Sequence, residues 1–287
     1  MARTLEPYQL VERSIITKYR KVLWNPFIEA VKRYEMIQPG DRIAVCISGG
    51  KDSMLLAKLM QQLQKHSDFP FELVFLVMDP GYNELNRRKI ESNAALLNIP
   101  VTIFESDIFE VADSAGKSPC YLCARMRRGY LYSRAQELGC SKIALGHHFN
   151  DVVETTLISM FYGSQLQAML PKLHSTNFEG MTLIRPLYCV HEDDIIAWAR
   201  DNNLEFIQCA CRLTERSAAD TGDVNVSKRK EIKLLLRRLC QGNPNIEKSI
   251  FNSIHAVALD TMPGFKTGGV EHSFLERFNA MESTEDE

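Results

Sequence analysis

Two close pairs of cysteines have the spacing in this sequence that most clearly suggests chemistry. Cys120 and Cys123 lie three positions apart in SPCYLCARMRRGYLYSR, and Cys209 and Cys211 lie two positions apart in IQCACRL. Cysteines spaced in this way hold a zinc ion or an iron–sulfur cluster, or they form a disulfide or a redox couple. Four thiolates would close a tetrahedral zinc site, whereas three on an iron–sulfur cubane would leave one iron open. Spacing alone does not choose between the two metals.

The other four cysteines have surroundings typical of buried structural residues. Cys46 and Cys189 lie in apolar, strand-like stretches, and Cys140 and Cys240 lie at the ends of helix-like segments. The stretch MARTLEPYQLVERS has no signal-peptide segment, and no apolar run is long enough to span a membrane. We therefore expect a soluble cytoplasmic protein with no membrane partner, and cytoplasmic cysteines rarely form a disulfide framework.

The stretch VCISGGKDS has the composition of a phosphate-binding turn between a strand and a helix. An apolar strand ends at Ile47, and the two glycines that follow allow backbone N–H groups to approach an anion closely. A lysine adds a positive charge, and the helix that begins at Asp52 has an N-terminus that favours negative charge. The pattern matches neither common nucleotide-binding loop, G-x-x-x-x-G-K-S/T or G-x-G-x-x-G. The sequence therefore predicts a phosphate site in residues 48–53.

Alternating strands and helices surround this turn and determine where it lies in the fold. Short apolar, β-rich runs alternate with segments of helical periodicity over most of the chain. The predicted strands are 43–47, 72–77, 101–104, 142–146 and 183–187. The predicted helices are 11–36, 84–97, 151–162 and 192–203, one from Asp52 and one from Cys123 to about Leu138. This order predicts an α/β fold with a doubly wound parallel sheet, in which ligands bind beyond the carboxyl ends of the strands.

The SGGKDS loop is similar to the signature of the PP-loop family of ATP pyrophosphatases, and two further stretches support the resemblance. FLVMDPGY ends a strand that lies against the adenosine in this family, and LGHHFNDVVETTL is similar to the family's second motif. The resemblance implies ATP and Mg²⁺ as ligands, with Asp52 and Asp151 as catalytic residues. Many relatives have two adjacent acids where this chain has Asn150 and Asp151, so we place the acidic role on Asp151. The implied ATP-binding residues are Ser48, Gly49, Gly50, Lys51, Asp52, Ser53, Met78, Asp79, Gly146 and His147.

A longer stretch resembles one branch of this family, the tRNA 2-thiocytidine synthetases. The matching pieces are CYLCARMRRGYLY, ALGHH, MFYGSQLQAMLPK and IRPL, and the resemblance covers roughly residues 12–212. It implies that Cys120, Cys123 and Cys209 bind a [4Fe–4S] cluster. The family often has CxxC where this chain has CxC, so Cys211 is an alternative third or fourth ligand. At this point a zinc site of four cysteines, or a thiol relay, stays open.

The resemblance implies ATP-dependent thiolation of tRNA, closest to 2-thiocytidine formation in the anticodon loop. A base carbonyl oxygen would be adenylated with release of pyrophosphate, and sulfur would then replace that oxygen with release of AMP. Cys120 and Cys123 would act in sulfur transfer, and Arg125, Arg127 and Arg128 would bind RNA phosphates. The implied partners are tRNA and a sulfur donor, either a cysteine desulfurase or sulfide, and the enzyme would be a homodimer.

Two other classes of function remain at this point. One is a PP-loop enzyme that acts on another substrate, with the four paired cysteines as a structural zinc site. The other is a non-catalytic iron–sulfur or nucleotide sensor, against which the intact SGGKDS loop argues. The net charge of −2 means that RNA binding must come from local patches. The second such patch, SKRKEIKLLLRRL at 227–239, could clamp RNA or pack against the domain.

The composition divides the chain into one large domain with additions at both ends. With 287 residues, of which 45% are hydrophobic, the chain is long enough to bury a sizeable core. We expect an N-terminal helical segment (1–38), the PP-loop ATP-binding and iron–sulfur domain (39–212), a C-terminal helical segment (213–260) and a flexible tail (261–287).

Overall fold

The computed structural model describes residues 5–106, 108, 119–207 and 228–285, with side chains for all of these except 119–125 and 281–285. The chain forms two compact units, Met1–Lys233 and Leu234–Glu287. Across the described residues, no helix is long and apolar enough to cross a bilayer. The predicted boundary between 212 and 213 falls outside the described residues.

The first unit is built on a six-stranded, mostly parallel sheet in the order β3-β2-β1-β4-β6-β5. The strands are β1 Arg42–Ile47, β2 Glu72–Asp79, β3 Val101–Glu105, β4 Lys142–Ala144, β5 Lys172–His174 and β6 Thr182–Ile184. Only β5 is antiparallel to its neighbour, β6. The strand order reverses between β1 and β4, which are parallel neighbours. The predicted doubly wound sheet is confirmed, and its crevice lies at the carboxyl ends of these two strands.

Seven α-helices with described bounds lie wholly within the first unit, before or after these strands. They are α1 Pro7–Ile16, α2 Asn25–Arg33, α3 Lys51–His66, α4 Glu84–Leu96, α5 Pro119–Glu137, α6 Phe149–Gly163 and α7 Glu192–Asp201. β1 is buried on both faces, as expected of a parallel strand covered by helices. On one face Ala44 and Cys46 pack with Tyr132 and Ala135 of α5, and α3 also lies against the strand.

A buried lysine attaches the N-terminal helix α1 to the sheet domain. Lys58 of α3 is 0% exposed, and its ammonium donates to Glu12 Oε1 at 2.7 Å, Gln61 Oε1 at 2.8 Å and the Leu97 carbonyl at 2.7 Å. Lys65 lies 2.8 Å from the other oxygen of Glu12. We call Glu12, Lys58 and Lys65 the anchor cluster. Because all three ammonium protons of Lys58 have acceptors, its charge is tolerated inside the protein.

The N-terminal helix and one edge strand differ from the sequence expectation. The helix expected over 11–36 consists of α1 and α2, joined by a short π-helix at Arg20–Trp24. Pro26, near the start of α2, has no N–H to donate and interrupts the helical ladder there. No sequence pattern predicts β5, because three residues are too few to show an alternation.

The second unit contains more regular structure than the flexible tail expected over 261–287. α8 Lys228–Gly242 ends in this unit and is followed by α9 Ile246–Ser253, a short 3₁₀ helix, the hairpin β7 Gly264–Thr267 and β8 Val270–Ser273, and α10 Phe274–Glu285. Gly268 and Gly269 connect the hairpin with φ of +56° and +82°. Two consecutive residues with positive φ suit a tight two-residue hairpin turn, and this signal in the sequence was missed.

Candidate functional site

A cavity of about 300 Å³ lies at the carboxyl ends of β1, β2 and β4. It brings together eight of the residues predicted for the site, namely Ser48, Asp52, Ser53, Met78, Arg127, Gly146, His147 and Asp151. Its other lining residues are Cys46, Ile47, Tyr82, Leu131 and Leu145. Most of the polar residues come from the turn after β1 and from the segment around the start of α6, and Arg127 comes from α5. Most of the apolar residues come from strand ends and α5. Such a cavity suits a ligand with one charged and one apolar part.

The turn after β1 closes on itself through Ser53 and requires glycine at one position. Ser53 Oγ accepts from the Ser48 N–H at 3.1 Å and donates to the Gly50 carbonyl at 2.9 Å. Gly49 has a φ of +85°, and a Cβ atom there would lie 2.5 Å from Ile90 Cγ1. Both the backbone angle and the lack of space exclude a side chain at Gly49.

Gly146 brings the second motif against the first. A Cβ atom on Gly146 would lie 3.1 Å from the Ser53 nitrogen and 3.2 Å from the Asp52 carbonyl carbon. The end of β4 therefore packs directly on the first turn of α3. Because backbone atoms would have to move to admit a side chain, the distance between the two motifs is fixed by this contact.

Lys51 of the turn is held by two carboxylates. Its ammonium lies 3.1 Å from Asp52 and 3.0 Å from Glu192 Oε1. Burial alone would lower the pKa of Lys51, but these two carboxylates outweigh it and raise the pKa. Asp52 Oδ1 is buried and accepts no hydrogen bond, although the Lys51 ammonium is near it. A carboxylate oxygen in the cavity is thus available to a cationic ligand or a proton donor.

The two adjacent histidines of the second motif have different tasks. Burial and the nearby Arg185 guanidinium lower the pKa of His147 to about 4, and its Nδ1 is buried without a hydrogen-bond partner. A neutral imidazole with an unpaired nitrogen can exchange a hydrogen bond with a ligand but adds no positive charge. His148 instead caps α6, since its Nδ1 accepts from the Asp151 N–H at 3.4 Å and its own N–H donates to Asp151 Oδ2 at 3.1 Å.

Three acids near the cavity face two basic residues that the sequence did not connect with it. Arg229 Nη1 lies 3.3 Å from Asp151 Oδ1, and its Nε lies 3.4 Å from Glu154 Oε2. Lys233 Nζ lies 2.6 Å from Glu192 Oε2 and 3.9 Å from Glu154 Oε1. Both cations belong to the first turns of α8, in the basic patch considered above for RNA. Together with the loop lysine these residues form what we call the site network: Lys51, Asp151, Glu154, Glu192, Arg229 and Lys233.

The two glutamates of the site network have opposite protonation properties. Burial raises the pKa of Glu154, which is only 2% exposed, to about 7, and the nearby Lys233 and Arg229 only partly offset it. Burial also acts to raise the pKa of Glu192, but the hydrogen bonds from Lys233 and Lys51 outweigh it and lower the pKa to about 2. The site network therefore contains one firmly ionised carboxylate and one that changes protonation near neutral pH.

Several predicted site residues lie elsewhere or have structural tasks. Asp79 Oδ1 accepts from the N–H groups of Gly81 and Tyr82 at 2.9 and 2.7 Å, and Arg87 donates to Asp79 Oδ2 at 3.1 Å. Asp79 thus fixes the turn after β2 and does not line the cavity. Asn150, at the position where relatives often have an acid, accepts from the Glu192 N–H at 2.9 Å and orients the start of α7.

The paired cysteines fall largely outside the described atoms. Cys120 and Cys123 are in the first turns of α5, while their side chains, like that of Arg125, are not described, and Cys209 and Cys211 lie outside the described residues. Among the described side chains no group of three or more could hold a metal ion. As expected of structural residues, Cys46 and Cys140 are buried, whereas Cys189 and Cys240 are partly exposed.

A doubly wound sheet with a closed phosphate-type turn after β1 and a Gly-His motif after β4 defines an ATP-binding domain of the PP-loop class. The model of the PP-loop domain matches residues 17–214. The tRNA-cytidine(32) 2-sulfurtransferase of Geobacter sulfurreducens is 37% identical over 240 residues, which are 83% of this chain and 90% of the relative. The chain therefore belongs to the PP-loop family, within the group of the tRNA-cytidine(32) 2-sulfurtransferases. The predicted family and branch are confirmed.

Two further comparisons agree with this assignment. The enzyme of the same name from Neisseria meningitidis serogroup C is 42% identical over 198 residues, which are 67% of this chain and 61% of that protein. Among solved structures, the U34-tRNA thiolase NcsA from Methanococcus maripaludis with its [4Fe-4S] cluster has a TM-score of 0.63 at 19% identity, over 84% of this chain and 80% of that chain. At this identity the second likeness concerns the fold alone.

Proposed function

We propose that this protein is an ATP-dependent tRNA sulfurtransferase that converts cytidine 32 into 2-thiocytidine. The names of its relatives supply the substrate and the position. The structural observation that carries the proposal is that α5, which begins with the CxxC pair, contributes Arg127 and Leu131 to the cavity formed by the turn after β1. A sulfur site and a nucleotide site would thus open into one space.

Helical periodicity supports this arrangement. Positions 120, 123, 127 and 131 follow one another at intervals of three or four residues, so they share one face of α5. At a rise of about 1.5 Å per residue, position 123 lies about 6 Å along the helix axis from Arg127. This is within the length of a base and its ribose. Activation of the base and delivery of sulfur can then occur without release of an intermediate.

ATP would bind with its phosphates at the turn of residues 48–53 and its base in the apolar part of the cavity, beside Met78 and Tyr82. His147 is neutral and would donate or accept a single hydrogen bond. Mg²⁺ fits the carboxylates of Asp52 and Asp151, because hard cations prefer oxygen ligands and Asp52 Oδ1 accepts no hydrogen bond.

The cysteines of this chain suit a [4Fe–4S] cluster by their ligand chemistry. Cys120 and Cys123, with Cys209 or Cys211, would supply thiolates, which such clusters require. Held by three of them, the cluster would supply an open iron at which a sulfur donor can bind. The competing four-cysteine zinc site would have no open position.

The reaction consists of two displacements that balance without an oxidant or a reductant when the donor is hydrosulfide. The O2 oxygen of cytidine attacks the α-phosphorus of ATP, the bond to the β-phosphate oxygen breaks, and pyrophosphate leaves. Sulfur then attacks C2, the C2–O bond breaks, and AMP leaves with the former carbonyl oxygen while the hydrosulfide proton is lost. Arg127 in the cavity, with Arg125 and Arg128 on the same helix, would bind the phosphates of the anticodon loop.

The direct test is thiolation by the anaerobically purified full chain with ATP, Mg²⁺, sulfide and an unmodified tRNA. We expect 2-thiocytidine at position 32 by mass spectrometry of digested tRNA, with equal amounts of AMP and pyrophosphate. Cys120→Ser should abolish thiolation and leave ATP binding unchanged. Cys240→Ser, far along the sequence in α8, should leave both thiolation and ATP binding unchanged. Nucleotide-dependent AMP release with no thiolated tRNA would favour a PP-loop enzyme with another substrate.

Metal analysis of the same protein distinguishes an iron–sulfur cluster from a zinc site at the paired cysteines. About four irons and four sulfides per chain would support the cluster, and about one zinc without iron would overturn it. The homodimer, the choice of sulfur donor and the cytoplasmic location stay predictions. Light scattering on the purified chain tests the first of them.

A further inference from the structure

The basic start of α8 contacts the nucleotide motifs from outside the part of the chain that the family model covers. That match ends at residue 214. Arg229 nevertheless contacts Asp151, which lines the cavity, and Lys233 is linked through Glu192 to Lys51 of the phosphate turn. Two residues beyond the matched PP-loop domain thus reach the ATP site, Arg229 by direct contact with Asp151 and Lys233 through Glu192.

The distances suggest which of the two cations can move. Lys233 lies 2.6 Å from Glu192 and contacts Glu154 as well, so it neutralises Glu192 when Lys51 turns toward a ligand. Arg229 makes longer contacts of 3.3 and 3.4 Å and is 49% exposed. Its contacts are therefore easier to exchange than those of Lys233.

The charges around the cavity favour such an exchange of contacts by Arg229 when a polyphosphate binds. The carboxylates of Asp52 and Asp151 line the cavity, and a nucleoside triphosphate would add several negative charges beside them. Lys51 is engaged by Asp52 and Glu192. Arg229, in contrast, contacts Asp151, the other carboxylate that lines the cavity.

We propose that Arg229 is a further phosphate-binding residue of the ATP site, which exchanges Asp151 for the polyphosphate of the bound nucleotide. The inference rests on the proposed function in taking ATP as the ligand, and it extends the site to α8. Glu154 orients the guanidinium through its Nε edge, while Nη1 contacts Asp151 at 3.3 Å and Nη2 donates to Thr155 Oγ1 at 3.5 Å. If these two long contacts are exchanged, both Nη groups can form parallel hydrogen bonds to phosphate oxygens. Asp151 is thereby released for the metal ion that accompanies the nucleotide.

The test is calorimetric titration of the full chain with the non-hydrolysable analogue AMPCPP and with AMP, both with Mg²⁺ and without tRNA. Loss of a charge-assisted contact in Arg229→Gln should weaken AMPCPP binding about tenfold or more and AMP binding by less. Arg229→Lys should recover part of the affinity. The matched control is Lys230→Gln, the same charge change on the neighbouring exposed residue of α8, which should bind AMPCPP within about twofold of the unmodified chain.

A double variant separates phosphate binding from a structural effect of Arg229. If Arg229→Gln acts only by leaving the buried Glu154 without its partner, then Glu154→Gln/Arg229→Gln restores AMPCPP binding and overturns the proposal. If Arg229 contacts phosphate, the double variant binds as weakly as Arg229→Gln. Unchanged or tighter AMPCPP binding by Arg229→Gln also overturns it. If the unmodified chain binds AMPCPP but does not thiolate tRNA, the proposed function is overturned and the inference about Arg229 still stands.

Discussion

Two groups of charged side chains in the first unit use the same chemistry for different purposes. In the anchor cluster, Lys58 is fully buried and all its donors have acceptors from α1, α3 and the end of α4. In the site network, Glu154 is buried with a pKa raised to about 7 by that burial, and Arg229 and Lys233 are 49% and 36% exposed.

The difference shows that burial and complete hydrogen bonding distinguish structural charges from functional ones. A buried charge with complete hydrogen bonding is fixed, because every alternative arrangement leaves a group unpaired. In a network with exposed cations, whose charges only partly offset the burial of their acidic partners, a side chain can exchange one partner for a ligand at a small cost in free energy. We therefore expect substitutions in the anchor cluster to change stability, and substitutions in the site network to change activity.

The largest expected effect is that of Asp151→Asn on thiolation. The amide keeps an oxygen that accepts from the His148 N–H, so the cap of α6 is preserved, but the negative charge in the cavity is lost. Removing such an electrostatic contact should lower the thiolation rate about 100-fold or more. The free energy of unfolding should change by less than about 1 kcal/mol. If Asp151→Asn instead leaves the thiolation rate unchanged and lowers the free energy of unfolding, then Asp151 has a structural role and the assignment of the site network to activity is wrong.

Glu12→Gln tests the anchor cluster. The substitution leaves the buried Lys58 ammonium without its counter-charge, and breaking one side of a buried pair lowers the free energy of unfolding by about 3 kcal/mol. Urea denaturation measures it. Glu29→Gln is the matched control, because Glu29 is 61% exposed and lies 3.9 Å from Arg33. Equal small losses in both variants would mean that the buried pair does not anchor α1.

One glutamate of each group, Glu154 and Glu12, should also respond oppositely to pH. Glu154 has its pKa raised from 4.5 to about 7 by burial, so its contribution to stability is present below pH 4.5 and is lost as the pH rises to about 7. Burial acts to raise the pKa of Glu12, but hydrogen bonds from Lys58 and Lys65 outweigh it and lower the pKa, so its contribution is present above pH 4.5 and is lost at lower pH.

Thermal unfolding of two variants between about pH 4 and about pH 8 measures this contrast. The Tm of Glu154→Gln relative to the unmodified chain should rise with pH. The deficit in Tm of Glu12→Gln should instead shrink as the pH falls. Parallel pH profiles of the two variants would contradict the distinction between the groups.

The smallest expected effect lies at the exposed end of the anchor cluster. Lys65 is 50% exposed and lies 2.8 Å from Glu12. Lys65→Met should lower the free energy of unfolding by less than about 1 kcal/mol, because water already solvates the ammonium. High salt should remove most of that difference. A loss as large as that of Glu12→Gln would show that exposure does not set the strength of these pairs.

The sheet and the position of the cavity could be predicted because their signals are local. The apolar runs that became β1 and β2 and the SGGKDS turn each lie within a few consecutive residues, and strand–helix alternation then places their ends at one edge. The interruption of the N-terminal helix and the three-residue β5 were not predicted. α1 ends at Ile16, ten residues before Pro26, within an uninterrupted helical periodicity, and β5 is too short to show any periodicity.

The site network could not be predicted because its members are distant in sequence. Arg229 is separated from Asp151 by 78 positions, and its own surroundings show only a basic helix. Nothing local distinguishes Arg229 from the exposed Lys230 beside it. The pairing of a cation with a particular acid is decided by tertiary packing, which also sets the pKa of Glu154.

The adjacency of β1 and β4 has a consequence for how the protein is made. Ile43 pairs with Lys142, so the two strands that carry the nucleotide motifs are about 100 residues apart in sequence, and such non-local pairing forms slowly. A nascent chain that has left the ribosome only as far as β3 contains the complete SGGKDS turn but lacks Gly146 and Asp151. The ability to bind nucleotide should therefore arise late in synthesis, when β4 docks beside β1.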